Sequence, residues 1–340
     1  MSEHQILIEG EKNAFVQAGE DTVLRAALRA GIGFPYECNS GGCGSCKFDL
    51  LDGEAENLWP DAPGLTERDR RKGRLLACQC RAKGNIQIKV RVEADHQAQV
   101  RPKRLLAKFV ESHEVTHDIR EFRFVTDGPA TFLAGQYAML SVPGVTAPRA
   151  YSMSNTGNDR GEWHFQIRRV PQGKATEQLF HHLRAGDQLE IDGPYGLAFL
   201  RTEAPRDIVC VAGGSGLAPM VSIARGASQS GMLETRHLHF FYGGRTPSDI
   251  CGESFLRMLR GYDERIHFYP VVSLPGEASG FQWSGETGFV HDVVRRVFGD
   301  TLSNFEFYFA GPPPMTQALQ EMLMIGYCVP FEQLHFDRFF

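Results

Sequence analysis

Three patterns of apolar spacing follow one another along the chain. Over residues 1–95, short alternating runs flank one stretch of helical spacing. Gln5–Glu9 and Ala14–Gln17 read as a hairpin, and Thr22–Ala30 predicts a helix carrying Val23, Leu24, Ala27 and Leu28. Lys47–Leu51 and Ile86–Val92 alternate as strands; in the second, Ile86, Ile88, Val90 and Val92 share one face. Over residues 103–204 the pattern is almost wholly β: Leu105–Val110, Ile119–Thr126, Tyr137–Val142, Trp163–Val170 and Gln188–Asp192, divided by Gly, Pro and Asp. That spacing predicts a small antiparallel barrel, interrupted by one helical segment, Thr176–Leu183. Over residues 205–340 the strands Ile208–Ala212, His237–Tyr242, Ile266–Ser273 and Phe305–Phe309 alternate with helical stretches, the signature of a parallel α/β sheet. The polar run Asp95–Pro102 has no apolar period and marks the first boundary.

Composition narrows the class without naming it. A chain of 340 residues, 42% hydrophobic, can build two or three ordinary cores. The net charge of −5 is spread along the chain, so no nucleic-acid-binding field is expected. The uncharged run Ile208–Ala224 is too short, and too broken by Gly213, Gly214, Gly216 and Pro219, for a membrane span. The opening Met1–Gln5 is polar and acidic and does not read as a signal peptide. Eight cysteines without an export signal argue against disulfides, which points to a cytoplasmic protein.

The cysteines themselves carry chemistry. Cys38, Cys43 and Cys46 fall within nine residues, among Gly41, Gly42 and Gly44, and 31 residues separate Cys46 from Cys78. C-x4-C-x2-C with a distant fourth cysteine is the plant-type [2Fe–2S] spacing. Zinc loops pair C-x2-C with a second such pair or with histidines, and neither occurs here. A rhombic cluster needs four thiolates and backbone N–H groups turned toward its sulfides, which glycines permit. Cys80 competes with Cys78, because alternation along a strand through Leu75–Cys80 puts both on one face. Helix, strands and a cluster loop at one edge fit a β-grasp ferredoxin. Asp49, Asp52, Glu54, Glu56 and Asp61 precede a basic run, Arg68, Arg70, Arg71, Lys72 and Arg74: either two solvated faces or a dipolar surface that steers a redox partner.

The other two stretches carry nucleotide chemistry. Arg149-Ala150-Tyr151-Ser152 follows a Gly/Pro loop, and Gly173-Lys174-Ala175-Thr176 opens the helical segment. An Arg and a helix N-terminus hold pyrophosphate, an aromatic ring stacks on a flavin, and a hydroxyl can meet its N5 edge. Glycine loops recur at strand ends: Gly213-Gly214-Ser215-Gly216, Gly243-Gly244-Arg245 and Gly311-Pro312. Carboxyl ends of parallel strands are where open α/β sheets bind dinucleotides. One basic residue, Arg245, opposed by Asp249, favours NADH over NADPH.

The order of these motifs over essentially the whole chain resembles the reductase components of bacterial oxygenases, in the ferredoxin–NADP reductase superfamily. Phe34–Leu65 and the ending His335–Phe340 look most like toluene-type diiron monooxygenase reductases; reductases of benzoate dioxygenase and of the membrane-bound xylene monooxygenase share the architecture. The resemblance implies a [2Fe–2S] ferredoxin over 1–95, an FAD-binding barrel over 103–204 and an NAD-binding domain over 205–340. It implies FAD rather than FMN, since FMN-bearing relatives carry the ferredoxin at the C-terminus. It selects Cys78 over Cys80 as fourth ligand, places Arg149 on the flavin diphosphate, Tyr151 on the ring, Ser152 at N5 and Gly173–Thr176 on the pyrophosphate. Ser152, Asp337 and Phe339 then surround the hydride-transfer site. The usual cysteine of C-G-P-P is Ala310 here, which alters the packing expected around the nicotinamide. The implied partner is a Rieske-type ferredoxin or a diiron hydroxylase. A redox-sensing iron–sulfur flavoprotein is the rival class, separable by its lack of NADH-driven electron flow.

Overall fold

The computed structural model describes residues 3–11, 14–276 and 283–339; Phe340 lies outside them. The chain forms two compact units, one of residues 1–104 with 192–196, the other of 105–191 with 197–339.

In the first unit, a five-stranded sheet runs in the order Phe15–Ala18, Glu3–Ile8, Ile86–Lys89, Lys47–Asp52, Leu75–Leu76. Its central pair, Glu3–Ile8 with Ile86–Lys89, is parallel. The helix Val23–Arg29 starts where Thr22 accepts the Arg25 N–H at 3.4 Å. Its apolar face, Leu24, Ala27 and Leu28, is buried with Ile6, Ile88 and Phe48. Segment 192–196 joins this unit through charge. Arg29 forks between Asp21 (2.9 and 3.0 Å) and Asp192 (2.7 and 2.8 Å), and Arg104 reaches Asp21 at 2.6 Å. The Gly196 N–H donates to the Tyr36 hydroxyl at 3.0 Å.

The second unit carries most of a barrel of order Arg149–Ser152, Tyr137–Ser141, Gln188–Tyr195, Lys103–Glu114, Ile119–Thr126, Glu162–Arg168, of which residues 103–104 and 192–195 belong to the first unit. A bridge between Met153 and Phe165 brings its two end strands together. Phe122, Phe124, Trp163 and Phe165 fill the interior, and the Trp163 indole N–H donates to Thr126 Oγ1 at 3.2 Å. The expected helical segment is one α-turn, Lys174–Glu177, widening into a π-turn, Gln178–His182.

After the barrel, six parallel strands lie in the order Glu286–Thr287, Ile266–Val272, Leu238–Gly244, Asp207–Gly213, Phe305–Gly311, Leu334–Arg338. Within Asp207–Gly213 the run Ile208–Ala212 is apolar throughout because both faces of the sheet are covered. Ile208, Cys210 and Ala212 pack with the helix Leu217–Gln229, while Val209 and Val211 face Val293, Val294 and Leu319 of two other helices. Strand order reverses between Asp207–Gly213 and Phe305–Gly311, a topological switch point.

A histidine stack lies along strands 238–244 and 266–272. Arg265 Nη1 can only donate to His237 Nε2 (2.9 Å), so His237 carries its proton on Nδ1 and donates it to His267 Nε2 at 3.0 Å. His239 stacks on His267 at 4.9 Å, and Phe298 and Phe305 meet it edge-on. Burial first, then His267, pushes His239 down to about 4, with Asp207 opposing. The unfolded chain therefore binds more protons between pH 6.5 and 4, and stability falls as pH drops through that window. Between pH 7.5 and 5 we expect the urea stability of the wild type to fall by about 1–2 kcal/mol more than that of His239→Phe, the value being discounted for partial exposure. Parallel pH profiles for the two proteins would exclude this source.

Candidate functional site

The cysteine loop is wound tightly enough to direct its amides inward. Asn39, Gly41 and Gly44 have φ of 50°, 90° and 78°. The N–H groups of Ser40 and Cys43 point at Cys38 Sγ (3.5 and 3.3 Å), that of Ser45 at Cys43 Sγ (3.4 Å), and Gln79 Nε2 at Cys78 Sγ (3.7 Å). The thiols perturb one another chiefly in two pairs, Cys38 with Cys43 and Cys46 with Cys78. Cys43 and the nearby amides draw Cys38 down to about 5, against the effect of burial. Cys78 and burial push Cys46 up. Among the described residues no three His, Cys, Asp or Glu converge on a single metal ion. Two-plus-two pairing suits a rhombic two-iron cluster, with two thiolates per iron. Asn39, 1% exposed, finds no protein partner for either amide atom. An orphaned carboxamide at this position fits a group with sulfide acceptors.

The strand alternation expected through Leu75–Cys80 does not form. Ala77–Gln79 is a 3-10 turn, and Cys80 opens a new strand, Cys80–Ala82. The turn carries the Cys78 side chain to Cys46, while the Cys80 thiol is buried and pushed up to about 12 by desolvation.

On the barrel, Arg149–Ser152 pairs antiparallel with Tyr137–Ser141, setting Tyr151 opposite Ala138 and Ser152 opposite Tyr137. Ser152 is buried, and burial pushes the Tyr151 phenol up to about 12. The Arg149 guanidinium is exposed and held by the Ala147 carbonyl at 2.7 Å. The turn before Lys174 is tight: a Cβ on Gly173 would stand 2.8 Å from Thr176 Oγ1. No side chain caps this helix start, so the amides of Lys174, Ala175 and Thr176 keep the open geometry that suits phosphate. The Thr176 hydroxyl itself bonds Val170 N, Val170 O and Gly173 O at 3.1–3.2 Å, and thus closes the turn from inside.

The glycine loops at the strand ends converge on a cavity of about 480 Å³. Gly213, Gly214, Gly243, Gly244, Arg245 and Pro312 all line it. The switch point is closely packed: a Cβ on Gly216 would lie 1.9 Å from the Ala310 carbonyl oxygen. Gly311 has φ of 152° and touches Gly213. Asp337 stands beside Ala310 in register, and the Phe339 N–H donates to the Gly311 carbonyl at 3.1 Å. Ala310, Asp337 and Phe339 are thus gathered at one strand end, Ala310 fully buried with Phe339 against the same core.

Further lining residues were not visible from spacing. Asp118 and Arg168, paired at 2.5 Å, and Tyr242, whose hydroxyl donates to the Gly214 carbonyl at 3.2 Å, enter from distant strands. Phe289 and His291, ring centroids 5.8 Å apart, form another wall. The helix that starts at the glycine turn is also tied to the loop that follows the strand Arg149–Ser152. Ser222 Oγ donates to the Asn155 carbonyl (2.6 Å) and accepts the Gly135 N–H (3.1 Å), while Arg225 donates to the Ser154 carbonyl (2.7 Å). These bonds fix the loop after Ser152 to the element that carries Gly213–Gly216.

Comparison with known proteins agrees with this reading. Residues 6–83 match the 2Fe-2S iron-sulfur cluster binding domain, 106–199 the oxidoreductase FAD-binding domain and 210–321 the oxidoreductase NAD-binding domain. The chain is 43% identical to the ferredoxin–NAD(P)+ reductase CarAd of Metapseudomonas resinovorans, covering 99% of this chain and 100% of that one. It is 38% identical to the ferredoxin–NAD+ reductase component of the alkene monooxygenase system of Xanthobacter autotrophicus, over 96% and 98%. Among solved structures, a ferredoxin reductase in carbazole 1,9a-dioxygenase superposes with a TM-score of 0.90 at 37% identity, over 100% and 99% of the two chains. With these three domains in order along almost its whole length, the chain belongs to the ferredoxin–NAD(P)+ reductases of oxygenase systems, which bind [2Fe–2S], FAD and NAD.

Proposed function

We propose that the protein supplies electrons from NADH to the oxygenase of a toluene-type hydrocarbon monooxygenase. The observation that carries the electron-transfer reading is the tie between the Ser152 strand and the Gly213–Gly216 helix, since hydride transfer needs a fixed alignment of two ligands. When bound, FAD accepts the hydride as a pair and the [2Fe–2S] centre passes single electrons onward. The amides of Lys174–Thr176 and Arg149 would hold the flavin diphosphate, with Tyr151 against the ring and Ser152 offering its hydroxyl to the flavin. Gly213, Gly214 and Gly216 let the dinucleotide approach the backbone, with Gly311 and Pro312 closing the other side. Asp337 and Phe339 flank the nicotinamide, the ring excluding water. Cys38, Cys43, Cys46 and Cys78 hold the cluster.

Several relatives support the monooxygenase reading, among them a xylene/toluene monooxygenase component of Pseudomonas putida, 32% identical over 99% of this chain. The likeness to the carbazole 1,9a-dioxygenase reductase favours a second reading, a ring-hydroxylating dioxygenase. Reconstitution separates them: a diiron hydroxylase reduced directly supports the first, a Rieske ferredoxin the second. All eight cysteines are free, which suits the cytoplasm. No helix among the described residues is long and apolar enough to cross a membrane.

Asp249 lines the dinucleotide cavity beside Arg245, and its carboxylate accepts the backbone N–H groups of Arg245 and Thr246 (3.1 and 2.8 Å). A negative group fixed there opposes a 2′-phosphate. Under anaerobic stopped flow, NADH should bleach flavin and cluster absorbance rapidly and NADPH at least about tenfold less efficiently, the cost of roughly 1.4 kcal/mol. Asp249→Ser, which keeps an acceptor for the turn, should narrow that gap several-fold. Absence of NADH-driven bleaching would remove the reductase reading.

A further inference from the structure

One outer face of the barrel is polar and yet buried. Along Ile119–Thr126 and Glu162–Arg168, the side chains of Phe122, Phe124, Phe165 and Ile167 fill the barrel. Alternation turns Glu121, Arg123, His164 and Gln166 to the outside, with Gln166 opposite Glu121 and His164 opposite Arg123 in register. The helix Leu217–Gln229 packs against the strand Glu162–Arg168, and Glu121 and Gln166 are each 2% exposed.

Glu121 is the centre of this face. Its Oε1 accepts Nε and Nη2 of Arg123, both at 3.0 Å; its Oε2 accepts Gln166 Nε2 at 3.1 Å and the Ser154 hydroxyl at 3.2 Å. Ser154 is wholly buried and has every polar group engaged. Besides its hydroxyl, its N–H donates to the His164 carbonyl (2.7 Å) and its carbonyl accepts Nη1 of Arg225 (2.7 Å). Arg225 comes from the second half of the helix Leu217–Gln229, its guanidinium 5.4 Å from the centre of the Phe255 ring. Burial draws Arg225 down, and the Glu121 charge is the first influence to oppose it. Burial pushes Glu121 up, but Gln166, His164, Arg123 and Arg225 outweigh it and leave the carboxyl below its ordinary value. Acid and base thus hold Ser154 between them, each supporting the other's charge.

A buried ionic network is a poor way to gain stability, since well-packed apolar side chains of the same size often do as well or better. What it adds is one register, because each donor meets its acceptor in a single alignment. The placement shows what that register serves. Ser154 lies two residues past Ser152, and Arg225 stands on the helix that starts at the Gly213–Gly216 turn. We propose that Glu121 and Arg225 are positioning residues for hydride transfer: gripping Ser154 by its hydroxyl and its carbonyl, they set the Ser152 strand end against the glycine turn. The proposal rests on the reading that these two places hold the flavin and the dinucleotide.

The test is anaerobic stopped-flow reduction of flavin in the holoprotein over a range of NADH concentrations, which separates NADH affinity from the limiting rate. Glu121→Gln keeps the shape and removes the charge; Arg225→Met removes charge and donor together. Each should lower the limiting rate about tenfold, part of the roughly 100-fold that a misplacement of about 1 Å can cost, and leave NADH affinity within about twofold. Arg225→Lys should recover most of the loss. The double variant should be little slower than the slower single one, since both residues act through Ser154. Amide exchange gives a readout independent of turnover: residues 152–156 should exchange about tenfold faster in Glu121→Gln, with FAD content and cluster spectrum as in the wild type. If NADH reduces the wild-type flavin but both single variants keep limiting rates within about twofold, the positioning role is refuted while the reductase reading stands. Losses that multiply in the double variant would also refute it. If Glu121→Gln fails to retain FAD, the Arg225 variants decide, and equal limiting rates in Arg225→Lys and Arg225→Met overturn the proposal. A wild-type flavin that NADH does not reduce would instead remove the reading on which the proposal rests.

Discussion

Cys46→Ser or Cys78→Ser should yield a protein that keeps its flavin and loses its [2Fe–2S] centre. NADH should still bleach the flavin, and ferricyanide turnover should persist, while reduction of cytochrome c collapses. The loop thiol Cys46 and the Cys78 thiol, on the 3-10 turn, are both buried and perturb each other. Substituting even the neighbours of a metal ligand costs roughly 10–100-fold in affinity, so loss of a ligand should exceed about 100-fold. Iron and sulfide content, with the visible and EPR spectra, measure it directly. Cys80→Ser is the control. Its thiol is buried at the start of the strand Cys80–Ala82, past the turn that carries Cys78, so the spectrum should survive. A lost cluster in Cys80→Ser together with an intact one in Cys78→Ser would reverse the ligand assignment.

The second large effect is at Gly216. A methyl group there would occupy the space of the Ala310 carbonyl oxygen, 1.9 Å away, and backbone cannot yield as a side-chain tip does. Gly216→Ala must therefore part strand Phe305–Gly311 from the glycine turn at the switch point. Overpacking of this kind costs about 1–3 kcal/mol in stability. Displacing the dinucleotide by about 1 Å can cost about 100-fold in hydride transfer. We expect slow flavin reduction by NADH, with the cluster spectrum and FAD content near normal. A Gly216→Ala protein that reduces its flavin at the wild-type rate would show that the dinucleotide does not use this turn.

Much of the architecture was legible because periodicity survives burial. Ile86 and Ile88 alternate inward on a half-buried strand, and Ile208–Ala212 is continuous because helices cover both faces of its sheet. The 2Fe-2S domain was legible for a different reason: thiols on one tight loop, Cys38, Cys43 and Cys46, have a fixed spacing. The different settings of Cys78 and Cys80 were not, since they come from a three-residue 3-10 turn that apolar alternation cannot reveal. Nor were Asp118, Arg168, Tyr242 and Phe289 as cavity walls. They come from separate strands and loops, and only the topology assembles them. The Ser222 and Arg225 contacts to the loop after Ser152 are likewise backbone-directed, leaving no sequence pattern to find.

Exchange of electron-transfer modules between related reductases is usually planned as cutting at a linker, and here a single cut is not enough. The ferredoxin unit is discontinuous: residues 192–196 belong to it, and Asp192, 2% exposed, is the acceptor that Arg29 grips. A graft of residues 1–104 onto a foreign reductase lacking that aspartate leaves the Arg29–Asp21–Arg104 cluster with two cations on one carboxylate. The reciprocal graft leaves a buried Asp192 with the Tyr195 hydroxyl (2.9 Å) but without Arg29, and breaking a buried ion pair costs about 3–5 kcal/mol. Chimeras should therefore carry two segments as one cassette, and shuffling in nature should have moved the pair together.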